Sequence, residues 1–436
     1  MDIRSALPSI TGSATDSWSL FFAGDCQLAS DWWTNRPIDR SFRERIESNS
    51  LAVANLEAPI PVGDPIPKYG PALSIDDHTP RMLSECGFDA VSLANNHAMD
   101  YGVDGVRRTI DVCNEAGLRT VGWGRTEADA IEPLELSVGD VTIALFSLCE
   151  REFGVATRGE PGTGWIRAPG IRGRIERASK AFDVVVLSVH GGIEYVPLPP
   201  PSWRRHLRSL VDAGADVVVG HHPHTPQGWE HHDGSPIVYS LGNWLMCTDG
   251  QPDWTLALEL EGVGDELTTV RIAPAEHRDG KVTELRSERS SVDCRAYLTD
   301  STEILNAADG YERYWQVIAN RVFLERYDRH LEDYGTGRTG SLGTHPRLAL
   351  DRAIRGVVGD AVRRERELTL QNYFQNESHR DVITTALALH TGTSRDRRTR
   401  AVRRTVDELS DLMEPSHQVQ IGERVESLRT IHHRLR

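Results

Sequence analysis

Apolar runs that end in a polar signature recur along the first half of this chain, and that repetition constrains the fold more than any other feature. The signatures are Gly24-Asp25, Asn55-Leu56-Glu57, Asn95-Asn96-His97, His190-Gly191-Gly192, Gly220-His221-His222-Pro223-His224 and Leu241-Gly242-Asn243. The runs before them, such as Ser19 to Ala23 and Asp183 to Val189, have the length and branching of buried strands. Carboxylates, amides and imidazoles would then converge at the carboxyl ends of strands, where open α/β sheets place their ligand sites.

Between the runs lie helical patterns. Val103 to Ala116 predicts a helix stopped by Gly117, and Ser202 to Ala213 another, with Ser202 as N-cap and Gly214 just past the end. Leu134 to Leu148 and Thr255 to Leu285 predict hairpins about Gly139-Asp140 and Asp279-Gly280. The alternation from residue 18 to about 245 argues for an α/β sandwich-like domain. From about residue 300 polar helical segments take over, at Ala308 to Tyr334, Pro346 to Phe374 and Asp381 to Leu389, with a Gly/Thr-rich break at Gly335 to Thr344. The expected organisation is a tail over 1–17, an α/β domain over 18–290 and a mainly helical region over 291–436.

Charge narrows the partners. Lys+Arg 49 against Asp+Glu 64 gives a net charge of -15, which argues against a nucleic-acid partner. The acidic excess lies in the N-terminal two thirds, and only Lys68, Lys180 and Lys281 are lysines. Acid excess with scarce lysine fits a salt-adapted surface, although high-GC codon bias would account for the arginines alone; equal stability in dilute buffer and molar salt would remove the salt reading. No apolar run approaches the roughly 20 residues of a membrane span, and Met1 to Ser19 has no signal-like core, so a cytoplasmic protein without an integral membrane segment is expected. Cysteines at 26, 86, 113, 149, 247 and 294 form no CxxC pair, which points to buried free thiols.

The chemistry sits in the signatures. His222 and His224 flank Pro223, which keeps His222 out of helical backbone, so an extended segment would turn both rings to one cavity. Asp25 and Glu57 offer hard oxygens, Asn96 a neutral carbonyl and His190 a third imidazole. Mixed carboxylate and imidazole donors suit manganese, iron or zinc. Six donors exceed the needs of one ion; a pair roughly 3.5 to 4 Å apart would use them all, clamping a phosphoryl or acyl oxygen and activating a water. His97, next to Asn96, is placed to act as general acid, with Asp100 or Glu194 orienting an imidazole. Against this, an Asp after a strand is commonly a turn or cap residue, and a single buried histidine is commonly structural. Cys26, Trp32, Trp33 and Trp244 are expected to pack near the site, and Asn243 to support it.

In order and in detail, including Ala94 to Gly102, His190 to Tyr195 and Tyr239 to Asn243, these signatures resemble the CapA-type capsule and poly-gamma-glutamate biosynthesis family, which is similar to calcineurin-like metallophosphoesterases. The resemblance covers roughly residues 18 to 250. It implies a four-layer α/β/β/α sandwich, a divalent metal centre of Asp25, Glu57, Asn96, His190, His222 and His224, and His97 as the acid. Two positions depart from the pattern. Gln27 stands where calcineurin-like enzymes carry a histidine, and Gly191 where the capsule family often has an aromatic residue. The implied function is a metal-dependent phosphoesterase-like hydrolase acting on a phosphoester or an anionic polyglutamate. The alternatives are a non-catalytic polyglutamate-binding or assembly component and an amidohydrolase on gamma-linked polymer. Outside the resemblance, Arg395 to Arg404 reads as a solvated helix face rather than a polymer-binding strip.

Overall fold

A computed structural model describes residues 16–28, 33–34, 36–246, 252–285, 288–307, 309–328, 330–331 and 364–413. The expectations for residues 1–15, Trp32, Cys247, Gly335 to Thr344 and the start of the Pro346 to Phe374 helix lie outside these.

The protein is mixed α/β, built on two large sheets. In the first, the spatial order is Lys281–Glu284, Glu266–Arg278, Trp254–Val263, Ser17–Cys26, Leu51–Leu56, Ala90–Ser92 and Arg119–Val121, with Asn243–Leu245 paired beside Asp25 and Cys26. The second runs Gln227–His232, Ser235–Ser240, Val217–His221, Val184–His190, Val141–Cys149 and Leu134–Val138. In both, the central signature-bearing strands are parallel, so their carboxyl ends lie at one edge.

Period-two alternation divides the core. Leu20 and Phe22 pack in one cluster with Val186, Val218 and other residues of the second sheet. Phe21 and Ala23 pack in another with Phe42, Met82 and Val112 from the helices Arg40–Ser48, His78–Glu85 and Gly102–Glu115. The run Val184 to Val189 is fully buried, as parallel strands covered on both faces require. Helices Ile171–Ala181 and Pro201–Val211 add Ile175, Trp203 and Leu207 to the first cluster. So do Tyr297, Trp315, Val382 and Val406 from the helices beyond residue 287.

Several local expectations change. The second predicted helix is Pro201–Val211, with Pro200 in the cap position; Ser202 lies inside the first turn, its N–H donating to Asp381 Oδ2 at 3.0 Å. A proline at the first helical position needs no N–H partner, which is why it displaces the serine. The Thr255 to Leu285 segment is a three-stranded meander with turns after Val263 and Arg278. Helix begins already at Glu288, and the predicted Ala308 to Tyr334 helix is Tyr311–Val322 followed by a widened π turn, Phe323–Tyr327. Along Arg400–Leu412, Val402, Val406 and Leu409 are buried while Arg404 pairs with Glu408 on the exposed side. Among the described residues, no helix is long and apolar enough to cross a membrane. Cys26, Cys86, Cys113, Cys149 and Cys294 are buried free thiols.

Candidate metal centre

Glycines let the signature strands close on one another. A Cβ on Gly24 would collide with the Gly242 carbonyl oxygen, and one on Gly220 with that of Tyr239. Asp25 therefore sits directly beside Asn243, and His221 beside His190, as paired strand positions.

Asp25, Glu57, Asn96, His190, His222 and His224 meet in one buried cluster. Three overlapping groups have ligand-type atoms within 4.8 Å of one another: Glu57, His190 and His222; Asp25, Glu57 and His224; and Glu194, His222 and His224. Around His190 Nε2 stand Asn96 Oδ1 at 3.0 Å, His222 Nδ1 at 3.1 Å and Glu57 Oε1 at 3.5 Å. A single ring proton can satisfy one of three such acceptors; a cation satisfies all of them.

Glu57 is the sharpest case. It is 0% exposed, and among the described residues neither carboxylate oxygen has a hydrogen-bond partner, although Oε1 lies 3.5 Å from His190 Nε2 and 3.6 Å from His224 Nε2. Burial, then the charges of Asp25, Glu194 and Glu152, push its carboxyl well above the ordinary range. Unpaired buried carboxylates are costly, and the donor set here fits a dication.

Its neighbours are better satisfied. Asp25 accepts from Asn55 Nδ2 at 2.7 Å and from the His222 N–H at 3.3 Å. Burial pushes Asp25 up, but His221, His224 and Asn55 together hold it below its usual value. His224 Nδ1 lies 2.9 Å from Asn243 Oδ1, which turns Nε2 toward Glu57. Burial lowers His190 well below the ordinary imidazole value and His222 to about 4, so both rings are neutral and have lone pairs to offer.

The backbone carrying the two outer histidines is not extended. His222 has φ 98° and His224 φ 54°, both in the left-handed region that costs a non-glycine residue about 1–3 kcal/mol. Pro223 does keep His222 out of the right-handed helix, but the ring positions come from a strained turn. Gln27 points away: its Nε2 donates to the Ser74 carbonyl at 3.1 Å.

His97 stands outside the three groups. Its Nδ1 lies 2.7 Å from Asp100 Oδ2, and Lys68 Nζ lies 2.5 Å from Asp100 Oδ1 and 3.1 Å from His97 Nδ1. Burial and then Lys68 lower the imidazole, so it rests neutral with Asp100 fixing its orientation. Glu194 is grouped with His222 and His224 as a candidate donor, whereas the sequence suggested only an orienting role. Burial raises Glu194, and His222, His224, Arg326 and His379 outweigh that, leaving it lowered. Trp244 packs edge-on to Phe21 and Phe42, and burial pushes the Cys26 thiol up, so both are packing residues.

Four participants escaped the sequence reading. Glu150 and Glu152 follow the strand Val141–Cys149 as the other signatures follow theirs; that placement was the signal. Glu152 accepts from Asn96 Nδ2 at 3.3 Å, and Glu150 from the Gly192 N–H at 3.0 Å. Lys68, one of three lysines, has a side chain only 4% exposed. Arg326, whose Nη2 donates to the Glu194 carbonyl at 3.1 Å, had no sequence signal at all.

Fold and site together define the class: a mixed α/β protein with a buried histidine and carboxylate centre at the ends of parallel strands. Residues 19–247 match the family described as bacterial capsule synthesis protein PGA_cap, more than half of the chain, and the protein belongs to that family. It is 34% identical over 180 residues to the capsule biosynthesis protein CapA of Bacillus anthracis, covering 40% of this chain and 44% of that one. It is 35% identical over 178 residues to the PGA biosynthesis protein CapA of Bacillus subtilis (strain 168), covering 40% and 47%. It is 30% identical over 172 residues to a probable polyglutamine synthesis accessory protein of Mycobacterium tuberculosis (strain CDC 1551 / Oshkosh), covering 36% and 45%. The matched stretches thus span less than half the length of each of these relatives.

Proposed function

We propose that this chain is a metal-dependent, phosphoesterase-like hydrolase that works in the synthesis of a capsule or poly-gamma-glutamate polymer. The observation that carries the reading is Glu57, a fully buried carboxylate without hydrogen-bond partners among the described residues, aimed at two imidazoles. Asp25, Glu57, Asn96, His190, His222 and His224, with Glu194, would hold one or two ions of manganese, iron or zinc. When bound, such ions would supply Lewis-acid polarisation of a phosphoryl or acyl oxygen and an acidified water. The two sheets with their covering helices agree with a four-layer α/β/β/α arrangement, which is part of the same proposal.

The chain's own residues do the proton work. Asp100 holds His97 Nδ1, leaving Nε2 to exchange a proton with a leaving group. Lys68 ties Asp100 and the Asn96 carbonyl together, so the acid and a ligand are positioned as one unit. An anionic substrate beside the lowered imidazole raises its proton affinity, which arms it as an acid only when substrate is bound.

The test is His97→Ala in manganese-supplemented protein with an aryl phosphate. Turnover should fall by about 10²–10⁴-fold while metal content stays the same. Undiminished turnover would remove His97 from the acid role. A second reading has its own support, since the matched mycobacterial relative is named an accessory protein and all three names describe synthesis. On that reading the chain binds or assembles polymer without catalysis. Elemental analysis showing no metal, together with no turnover, would favour it.

A further inference from the structure

Beside the centre lies a feature that the metal cluster does not use. Tyr195, just after Glu194, is 39% exposed, with backbone in the left-handed region at φ 61°. Its ring lies against His224, with centroids 5.8 Å apart and planes inclined by 31°. The Arg326 guanidinium also stands over this ring, 5.5 Å from its centroid. A strained, exposed aromatic beside a reactive centre is held there by its surroundings rather than by its own preference.

Arg326 comes from the π turn Phe323–Tyr327, outside the matched residues 19–247. Single π turns inside helices recur at functional sites because the wider turn re-aims side chains. The next residue, Tyr327, is anchored through its hydroxyl to His379 Nδ1, which fixes the turn against the helix Glu377–His390. Among the described residues, Arg326 has no carboxylate within ion-pair distance; its hydrogen bond goes to the Glu194 carbonyl, leaving most of its five N–H groups uncommitted. A guanidinium with free donors beside an aromatic face suits an oxyanion that can offer two oxygens to the fork.

We propose that Arg326 and Tyr195 form a recognition site for a second oxyanion of the substrate, a carboxylate or phosphate lying beyond the group held at the metal centre. The inference rests on the metal-centre reading for its orientation, because Tyr195 touches His224 and Arg326 touches Glu194. It makes Arg326, beyond the matched residues, share specificity with Tyr195 within them, while the matched part holds the reacting group.

The experiment measures binding, so it does not depend on turnover. Manganese-loaded full-length protein is titrated calorimetrically with gamma-linked triglutamate in one arm and inorganic triphosphate in the other, for wild type, Arg326→Gln, Arg326→Lys and Tyr195→Leu. Wild type should bind at least one of them, and the arm that responds names the oxyanion. Arg326→Gln should weaken that binding about tenfold or more, Arg326→Lys by less, and Tyr195→Leu measurably, all with manganese content unchanged. Equal affinity in wild type and Arg326→Gln, or no binding in either arm, would overturn the proposal. Loss of bound manganese in both Arg326 variants would overturn it too, by making Arg326 a support of the centre. Failure of the hydrolase reading looks different: no turnover on an aryl phosphate, with the binding differences intact.

Discussion

Glu57→Gln separates the cost of the buried carboxylate from its use. In the wild type both carboxylate oxygens are buried and unpaired, and each such group costs roughly 1–3 kcal/mol. Relieving both is therefore worth about 2–6 kcal/mol, which a bound dication does and a neutral amide does in part. Manganese at about a hundred times its dissociation constant adds roughly 2.7 kcal/mol by mass action. For a cooperative unit of more than about 250 residues, 1 kcal/mol moves the melting midpoint by about 1–2 °C, so chelation should lower the wild-type midpoint by roughly 3–5 °C. The assay is thermal unfolding by circular dichroism with manganese and with a chelator. In Glu57→Gln the midpoint without metal should equal or exceed that of metal-free wild type, and the response to manganese should vanish. Wild-type and variant midpoints that shift equally with manganese, or a wild type indifferent to chelation, would refute the reasoning.

Other substitutions probe the surroundings. Burial, and next the Glu377 charge, raise Glu150 to about 8. The folded state thus keeps a proton that the unfolded chain loses near its ordinary value of 4.5, so stability should fall as pH rises from there to about 8 and then level off. Glu150→Gln should flatten that slope in denaturant titrations at pH 5.5 and 8.5. Asn243→Ala frees the His224 ring and should weaken manganese binding about 10–100-fold by equilibrium dialysis. Gly191→Ala would set a Cβ 2.7 Å from Glu150 Cγ and 2.9 Å from the Trp203 ring, costing about 1–3 kcal/mol in a melting experiment. The same crowding explains why this chain has no aromatic residue at that position.

Much of the architecture was readable because strand periodicity and turn chemistry are local. Val184 to Val189, the hairpin at Gly139-Asp140 and the helix ending before Gly117 depend on neighbours in the chain. Where longer-range packing competes, the reading slipped. Ser202 gave up the cap position to the prolines before it, and the helix through residue 323 opens into a π turn that local propensity does not signal. Glu150 and Glu152 were legible by the same rule as Glu57, since they too follow a buried strand. Arg326 was not, because a charged residue on a polar helix looks the same whether it faces water or a site 132 residues away in sequence.

By itself the sequence determined that polar signatures would gather at strand ends, since period-two burial and parallel pairing carry each run's last residue to one edge of the sheets. It thereby singled out His190, His222, His224, Glu57, Asn96 and Asp25 as candidate donors. Tertiary structure alone decided how they are used. It left the Glu57 carboxylate without a hydrogen-bond partner among the described residues, strained His222 and His224 into left-handed backbone, locked Asp100 between Lys68 and His97, and set Arg326 against Tyr195. Those outcomes depend on the few ångströms between groups far apart in the chain, and distance, not residue type, decides whether a buried charge is paired, strained or free.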